Sequence, residues 1–369
     1  MSTRKVIIIG DATHNTLCAV RSFGEAGIQP ELILVCTLDI CCVQHSRYLR
    51  KGHCHIVAAL NECMPLLESW RDSRRDQILM TTYDAAAEWV DAREPMLSQW
   101  FRTPCRGKQL GDLFNKAVQC KLAQECGFDV PFSVIYERGK PISADLPYPV
   151  ITKPLVSSAG EKGDIHICNT EVELALALGK SSRCDRFLIQ QFIEKEYELD
   201  VIGVRSDTHC VVSGAVRKYR HWPPQVGAGA YGVFEQGQVF GLDEEKIGRF
   251  LELSGYHGPF STELLCTKDG KLYFMEVNFR NEGLAYVSTC AGANLHALYA
   301  DETYEIEWEK VKKTYMMNYS LDFLYVRKRK ISFWRWFNDL LRTRCFINVC
   351  FSDLGSAIAY YKSKISRIK

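Results

Sequence analysis

The residues best suited to chemistry in this chain are Glu263, Glu276, Asn278 and Arg280, which lie close together in sequence. Residues 260–266 and 272–279 both read as strands, and the linker 267–271 contains Asp269-Gly270, the dipeptide favoured in a two-residue type I′ turn. That turn would set Glu263 directly opposite Glu276, roughly 5 Å apart on one face. Two carboxylates so placed repel each other unless a cation sits between them. Strand periodicity brings Asn278 and Arg280 to the same face. Oxygen donors of this kind suit a hard divalent ion, and magnesium is usually held by one or two carboxylates together with substrate phosphates. The hairpin therefore points to a nucleotide.

Upstream elements that could position a nucleotide follow in order. A helical run from Leu113 to Cys126 stops at Gly127 and carries Lys116. Residues 149–154 read as a short buried strand carrying Lys153, and a small-residue loop over 157–163 includes Ser157, Ser158 and Gly160. An apolar strand over 187–193 contains Gln190, Gln191 and Ile193 and leads to Glu198. Singly, these features are also what a solvated lysine, a surface turn or an amphipathic hairpin would produce. Their joint order from Lys116 to Arg280 resembles the ATP-grasp superfamily, which includes D-alanine-D-alanine ligase, biotin carboxylase and carbamoyl-phosphate synthetase.

The resemblance implies ATP and Mg2+ as cofactors. It implies nucleotide contacts from Lys116, Lys153 and the loop at Ser157, Ser158 and Gly160. It places Gln190, Gln191 and Ile193 at the hinge that reads adenine, with Glu198 on the ribose. Glu263, Glu276 and Asn278 would be the metal ligands, and Arg280 would stabilise an acyl phosphate. In the run 215–224, Lys218 is assigned to the γ-phosphate and Arg220 to a substrate carboxylate. The sequence departs from the family where many members have a glutamate at the position of Gln190 or Gln191, although glutamine can still accept a hydrogen bond.

The fold implied is α/β and α+β. A Rossmann-like pre-ATP-grasp domain over 1–105 precedes a two-lobed ATP-grasp domain over 106–300, hinged near 190–198, and a basic segment over 301–369. Val6-Ile7-Ile8-Ile9-Gly10, a helix from Asn15 to Gly27 and the strand Glu31-Leu32-Ile33-Leu34-Val35 fit a parallel βαβ sheet. Only Gly10 of the dinucleotide fingerprint is present, so a nicotinamide site is not expected. Asp11, His14 and Arg21 are the candidates for substrate contact in this domain, with capping and helix-surface roles as the alternative.

The layout is most similar to the D-aspartate ligase and carbamoyl-phosphate-synthetase-like branch. It implies a carboxylate-amine ligase that forms an amide or peptide bond through an acyl phosphate. The substrate would be an amino acid or a cell-envelope or polysaccharide precursor. The alternatives are a bicarbonate-activating enzyme and a nucleotide-binding scaffold without turnover.

A chain of 369 residues with 47% hydrophobic residues is long enough for two or three domains. No apolar run is long enough to span a bilayer. The N-terminus enters a strand without a signal-peptide core, and sixteen cysteines without that signal fit a reducing cytoplasm. Cys36, Cys41, Cys42, His45, His53, Cys54 and His55 lack paired Cys-x-x-Cys spacing, so zinc is not expected. Residues 327–369 hold 11 Lys and Arg against 2 Asp and Glu, a net of +9, which leaves −7 for the first 326 residues given +2 overall. This tail also contains Phe333-Trp334-Arg335-Trp336-Phe337. It reads either as a cap on the core or as a contact with an anionic membrane surface or lipid-linked precursor. The expected location is cytoplasmic, free or at the inner face of the membrane. The expected partners are small-molecule substrates; no nucleic-acid motif accompanies the charge.

Overall fold

The computed structural model describes residues 4–38, 40–142, 145–155, 165–180, 185–224 and 227–366. The first region contains β1 (Val6–Asp11), α1 (His14–Glu25), β2 (Glu31–Val35), β3 (Cys54–Val57), α2 (Cys63–Ser69), β4 (Ile78–Thr81), α3 (Asp84–Asp91) and α4 (Glu94–Leu97). Its four strands are all parallel, in the order β3-β2-β1-β4. Val6, Ile7, Ile8 and Ile9 are fully buried, as expected for a strand covered on both faces. The chain runs from β1 outward to β2 and β3, then returns to the other side of β1 with β4. A crevice therefore opens beyond the carboxyl ends of β1 and β4, where sheets of this kind bind ligands.

The next lobe comprises α5 (Lys116–Glu125), β5 (Ser133–Glu137), β6 (Val150–Pro154), β7 (His166–Cys168), α6 (Glu171–Lys180) and β8 (Arg186–Gln191). Its antiparallel strands take the order β5-β8-β6-β7. α5 starts later than Leu113 because residues 111–114 form a 3-10 turn and Asn115 caps the helix, accepting from the Ala117 N–H. This places Lys116 at the first helical position.

The remaining elements are β9 (Tyr197–Arg205), β10 (Cys210–Trp222), β11 (Ala228–Glu235), α7 (Glu244–Ser254), β12 (Gly258–Cys266), β13 (Leu272–Asn278), α8 (Ala285–Ala291), α9 (Leu295–Ala300), β14 (Thr314–Met317), α10 (Tyr319–Arg327), α11 (Phe333–Arg342), β15 (Thr343–Phe346) and α12 (Leu354–Ser366). A seven-stranded sheet runs β13-β12-β9-β10-β11-β14-β15. Two strands beyond residue 300, β14 and β15, thus extend this sheet. β14 pairs with β11, and fully buried Met316 and Met317 complete its core, so much of the C-terminal segment belongs to the fold. Among the described residues, no helix is long and apolar enough to cross a membrane.

The hairpin pairs Glu263 with Glu276 as expected, but by a different route. Asp269-Gly270 is not a type I′ turn, which needs positive φ at both residues; only Gly270 has it, at 83°. The Thr267 N–H bonds to the Lys271 carbonyl and the Gly270 N–H to the Thr267 carbonyl, which closes a three-residue loop. That loop shifts the pairing by one residue, so Leu264 faces Phe274. A β-bulge at Met275 then restores the register before Glu276.

Candidate active site

A cavity of about 420 Å³ lies between the lobes, and the bulge explains which side chains line it. Strict alternation would put Phe274 on the same face as Glu276. The extra residue instead leaves Phe274 fully buried in the core, while Met275, Glu276 and Asn278 all face the cavity. Glu263 faces it from β12 and Arg280 from the chain beyond β13. Glu263 also lies opposite Asp200 on β9, so three carboxylates form a row across β13, β12 and β9.

Cations from separate elements hold this row. Lys116 reaches from the start of α5 to form an ion pair with Glu276. Lys218, opposite Glu198 on the neighbouring strand, lies 2.8 Å from Asp200 Oδ1 and 3.5 Å from Glu198 Oε2. Burial alone would depress the Lys218 pKa, but Asp200, Glu263 and Glu198 outweigh it and hold the group well above its ordinary value. Glu198 also meets Lys195 and lies 2.8 Å from His221 Nε2. Although burial acts against it, the His221 hydrogen bond and the Lys218 charge keep its carboxyl well below the usual range.

Lys153 behaves differently. It lines the cavity and donates to Gln190 Oε1 at 3.1 Å, while burial and the nearby Lys116 charge lower its pKa to about 8. Below that pH it is an ammonium ion available to a phosphate; above it the charge is lost. Nucleotide affinity measured by calorimetry is therefore expected to weaken as pH rises through about 8. Lys153→Met should bind more weakly at pH 7 and lose that inflection. An affinity flat between pH 7 and 9 in the parent protein would remove Lys153 from phosphate binding.

Gln190 lines the cavity too, though it is almost fully buried, and its side chain accepts from Lys153 and donates to Ser133 Oγ at 3.0 Å. Gln191 and Ile193 reach the cavity wall beside it. Ser157, Ser158 and Gly160 lie outside the described residues. Arg220 departs most from expectation, since it does not line the cavity. It bonds Asp322 through Nε at 2.7 Å and Nη2 at 2.9 Å, bonds Asp339 at 2.7 Å, and lies over the Tyr231 ring. Bulges beside Tyr219 carry it away from Lys218, and its carboxylate partners belong to the chain itself. Arg21, too, is a structural residue, fully buried against Asp353.

The N-terminal region completes the cavity at its crevice. His14 and Asn15 follow β1, and Asp84 begins α3 after β4. Arg280 Nε donates to Asp84 Oδ1 at 2.6 Å and Nη2 to Asn278 Oδ1 at 3.1 Å. Asn15 accepts from the Gly283 N–H at 2.9 Å, where a Cβ would fall 2.5 Å from the His14 ring, so only glycine allows this approach. Asp84, Asp200 and Glu282 were not anticipated. The signals for them were a first-turn acid after a parallel strand, an acid two residues beyond Glu198, and an acid two residues beyond Arg280.

The donor set of Glu263, Glu276 and Asn278 fits magnesium, being all oxygen. Among the described residues no group of three or more His, Cys, Asp or Glu is arranged to hold a metal, so an ion here would need further oxygens such as those of a phosphate.

No family model matches the chain. Over 164 residues, 40% of its length, the chain is 30% identical to the formate-dependent phosphoribosylglycinamide formyltransferase of Bacillus subtilis. Matches of this kind span between 35% and 39% of the curated relatives' own length. The structure is similar to that of N5-carboxyaminoimidazole synthetase from Staphylococcus aureus complexed with ADP, with a TM-score of 0.65, 12% identity, and coverage of 89% of this chain and 87% of that one. It also resembles the L-amino acid ligase from Bacillus licheniformis, with a TM-score of 0.59, 15% identity, and coverage of 85% and 75%.

Proposed function

Since the chain has the ATP-grasp fold, we propose that it is an ATP-dependent carboxylate-amine ligase acting through an acyl phosphate. The observation that carries this reading is Arg280 sharing one cavity with Glu263, Glu276 and Asn278, and with the three lysines Lys116, Lys153 and Lys218. A binding module needs cations for phosphate, but has no need of an arginine beside the metal ligands.

ATP binds between the lobes with its phosphates against the lysines. Glu263, Glu276 and Asn278 would hold magnesium, whose charge would offset that of the phosphates. A substrate carboxylate oxygen attacks the γ-phosphorus, the bond to ADP breaks, and an acyl phosphate forms. Arg280 stabilises the charge on the transferred group, and Asp84 fixes its guanidinium. An amine then attacks the carbonyl carbon and loses a proton as phosphate leaves, giving an amide. The N-terminal crevice at His14, Asn15 and Asp84 excludes water and orients one of the two substrates.

An amino acid or a carboxylated envelope or polysaccharide precursor supplies the carboxylate. Bicarbonate in that place is the second reading, favoured by the likeness in fold to a 2-oxoglutarate carboxylase biotin carboxylase domain solved with bicarbonate anion. The protein acts in the cytoplasm on small molecules, and a peripheral contact with the inner face of a membrane belongs to the same proposal. Magnesium-dependent ADP release is expected when a carboxylate and an amine are supplied together, with a product mass equal to their sum less water. Release with bicarbonate in place of the carboxylate would select the second reading. ATP binding without turnover across broad panels of both would leave a nucleotide-binding scaffold instead.

A further inference from the structure

Helix α11 is half inside the fold and half outside it. Trp336 and Leu340 pack with Tyr231, Met317, Tyr319 and Phe323, whereas Phe333, Trp334, Phe337 and Leu341 are exposed, Trp334 by 74% and Leu341 by 68%. At about 100° per residue, these four cover an arc of roughly 100° that continues the buried stripe around the helix. Asn338, Arg342 and Arg335 occupy the next part of the circumference. Single exposed apolar residues are ordinary, but three aromatics and a leucine side by side mark an interaction surface.

Charge decides what covers it. Lys328, Arg329 and Lys330 precede the helix, Arg335 and Arg342 lie on it, and Arg344 follows, all exposed. Asp339, the acid on this helix, is taken by Arg220. A second copy of this chain docking through the same face would bring like charges together, whereas an anionic surface complements them. No described helix can span a membrane, so such a contact is peripheral.

We propose that α11 lies in the plane of an anionic bilayer surface. Phe333, Trp334, Phe337 and Leu341 enter the boundary between headgroups and acyl chains, and the flanking lysines and arginines meet lipid phosphates. This assignment does not depend on the chemistry of the cavity.

The test is cosedimentation of the full chain with vesicles of phosphatidylcholine alone or mixed with phosphatidylglycerol. Binding is expected only to the mixed vesicles, weakening with salt, with a blue shift in tryptophan emission. Trp334→Ala combined with Leu341→Ala is expected to lower partitioning at least about tenfold, because both side chains lose their burial in the boundary. Lys330→Gln combined with Arg335→Gln should lower it less and flatten the salt dependence. All four side chains are exposed, so the melting temperature and ADP release without vesicles should not change. Equal partitioning of the parent and the Trp334 and Leu341 variant would overturn the proposal. So would a concentration-dependent dimer that the same variant disperses, or binding to an acidic peptide but not to the vesicles.

Discussion

Glu276→Gln is expected to lower kcat at least about 10²-fold while leaving the fold intact, the scale seen when one electrostatic contributor to a transition state is removed. The substitution keeps the shape of the side chain and removes its charge. Glu276 is the carboxylate that pairs with Lys116 and faces Glu263 across the hairpin. With a neutral amide oxygen at position 276, Glu263 is the one anionic ligand left of the three, too little charge to hold a hard cation firmly. Stability should move the other way or not at all, because the row through Glu276, Glu263 and Asp200 holds like charges together in a partly buried site. The two readouts separate a functional role from a structural one. Unchanged turnover in a folded Glu276→Gln protein would sink the metal assignment. A fall in the urea midpoint matching the lost activity would turn Glu276 into a structural partner of Lys116.

The pairing behind that experiment was legible in the sequence, whereas its mechanism was not. Residue types fixed two strands and a turn between them, and Glu263 does oppose Glu276. Yet the loop has one more residue than a type I′ turn, and the bulge at Met275 cancels the difference. A one-residue slip and its correction are invisible to residue counting. The conflict that signals them could be read beforehand, since strict alternation would set Phe274 beside Glu276 on a wet face. Similarly, Lys116, Lys153 and Lys218 could be found because each stands in a short run of distinct character. Arg220 could not be placed, since its partners Asp322 and Asp339 lie a hundred residues or more away and sequence spacing does not show long-range ion pairs. The position of Asp84 at the site depends on a crevice between β1 and β4 that exists only once the strand order is known. The C-terminal segment was legible as basic and aromatic. That β14 and β15 extend the central sheet was hidden in short strands without a hairpin signal.

Long-range pairing of the same kind makes Arg21 a position where the fold is sensitive to substitution. Its guanidinium is fully buried on α1 and donates to Asp353 Oδ2 at 3.0 Å, the Ile347 carbonyl at 2.9 Å and Ser356 Oγ at 2.9 Å. Asp353 in turn accepts from Ser46 Oγ and the Arg47 N–H at 2.9 Å each. Residues from the first sheet region and from the turn before α12 thus meet on one charge pair with no exposure at either side chain. Arg21→Ala would leave a buried carboxylate without its cation, a change that costs about 3–5 kcal/mol. The expected result is a fall of that size in unfolding free energy from urea titration. Asp353→Asn placed on the alanine background should recover part of it by removing the stranded charge. If the two ends of the chain separate locally, hydrogen exchange in α12 should rise before that in β1, because α12 relies on this contact and β1 is paired on both sides. A loss below about 1 kcal/mol would show that water or a nearby cation replaces the guanidinium, as at an exposed pair. His14 and Asn15 stand at the start of the helix that carries Arg21. Loosening α1 should therefore also weaken substrate binding more than nucleotide binding, since the lysines proposed to face the phosphates lie on α5, β6 and β10.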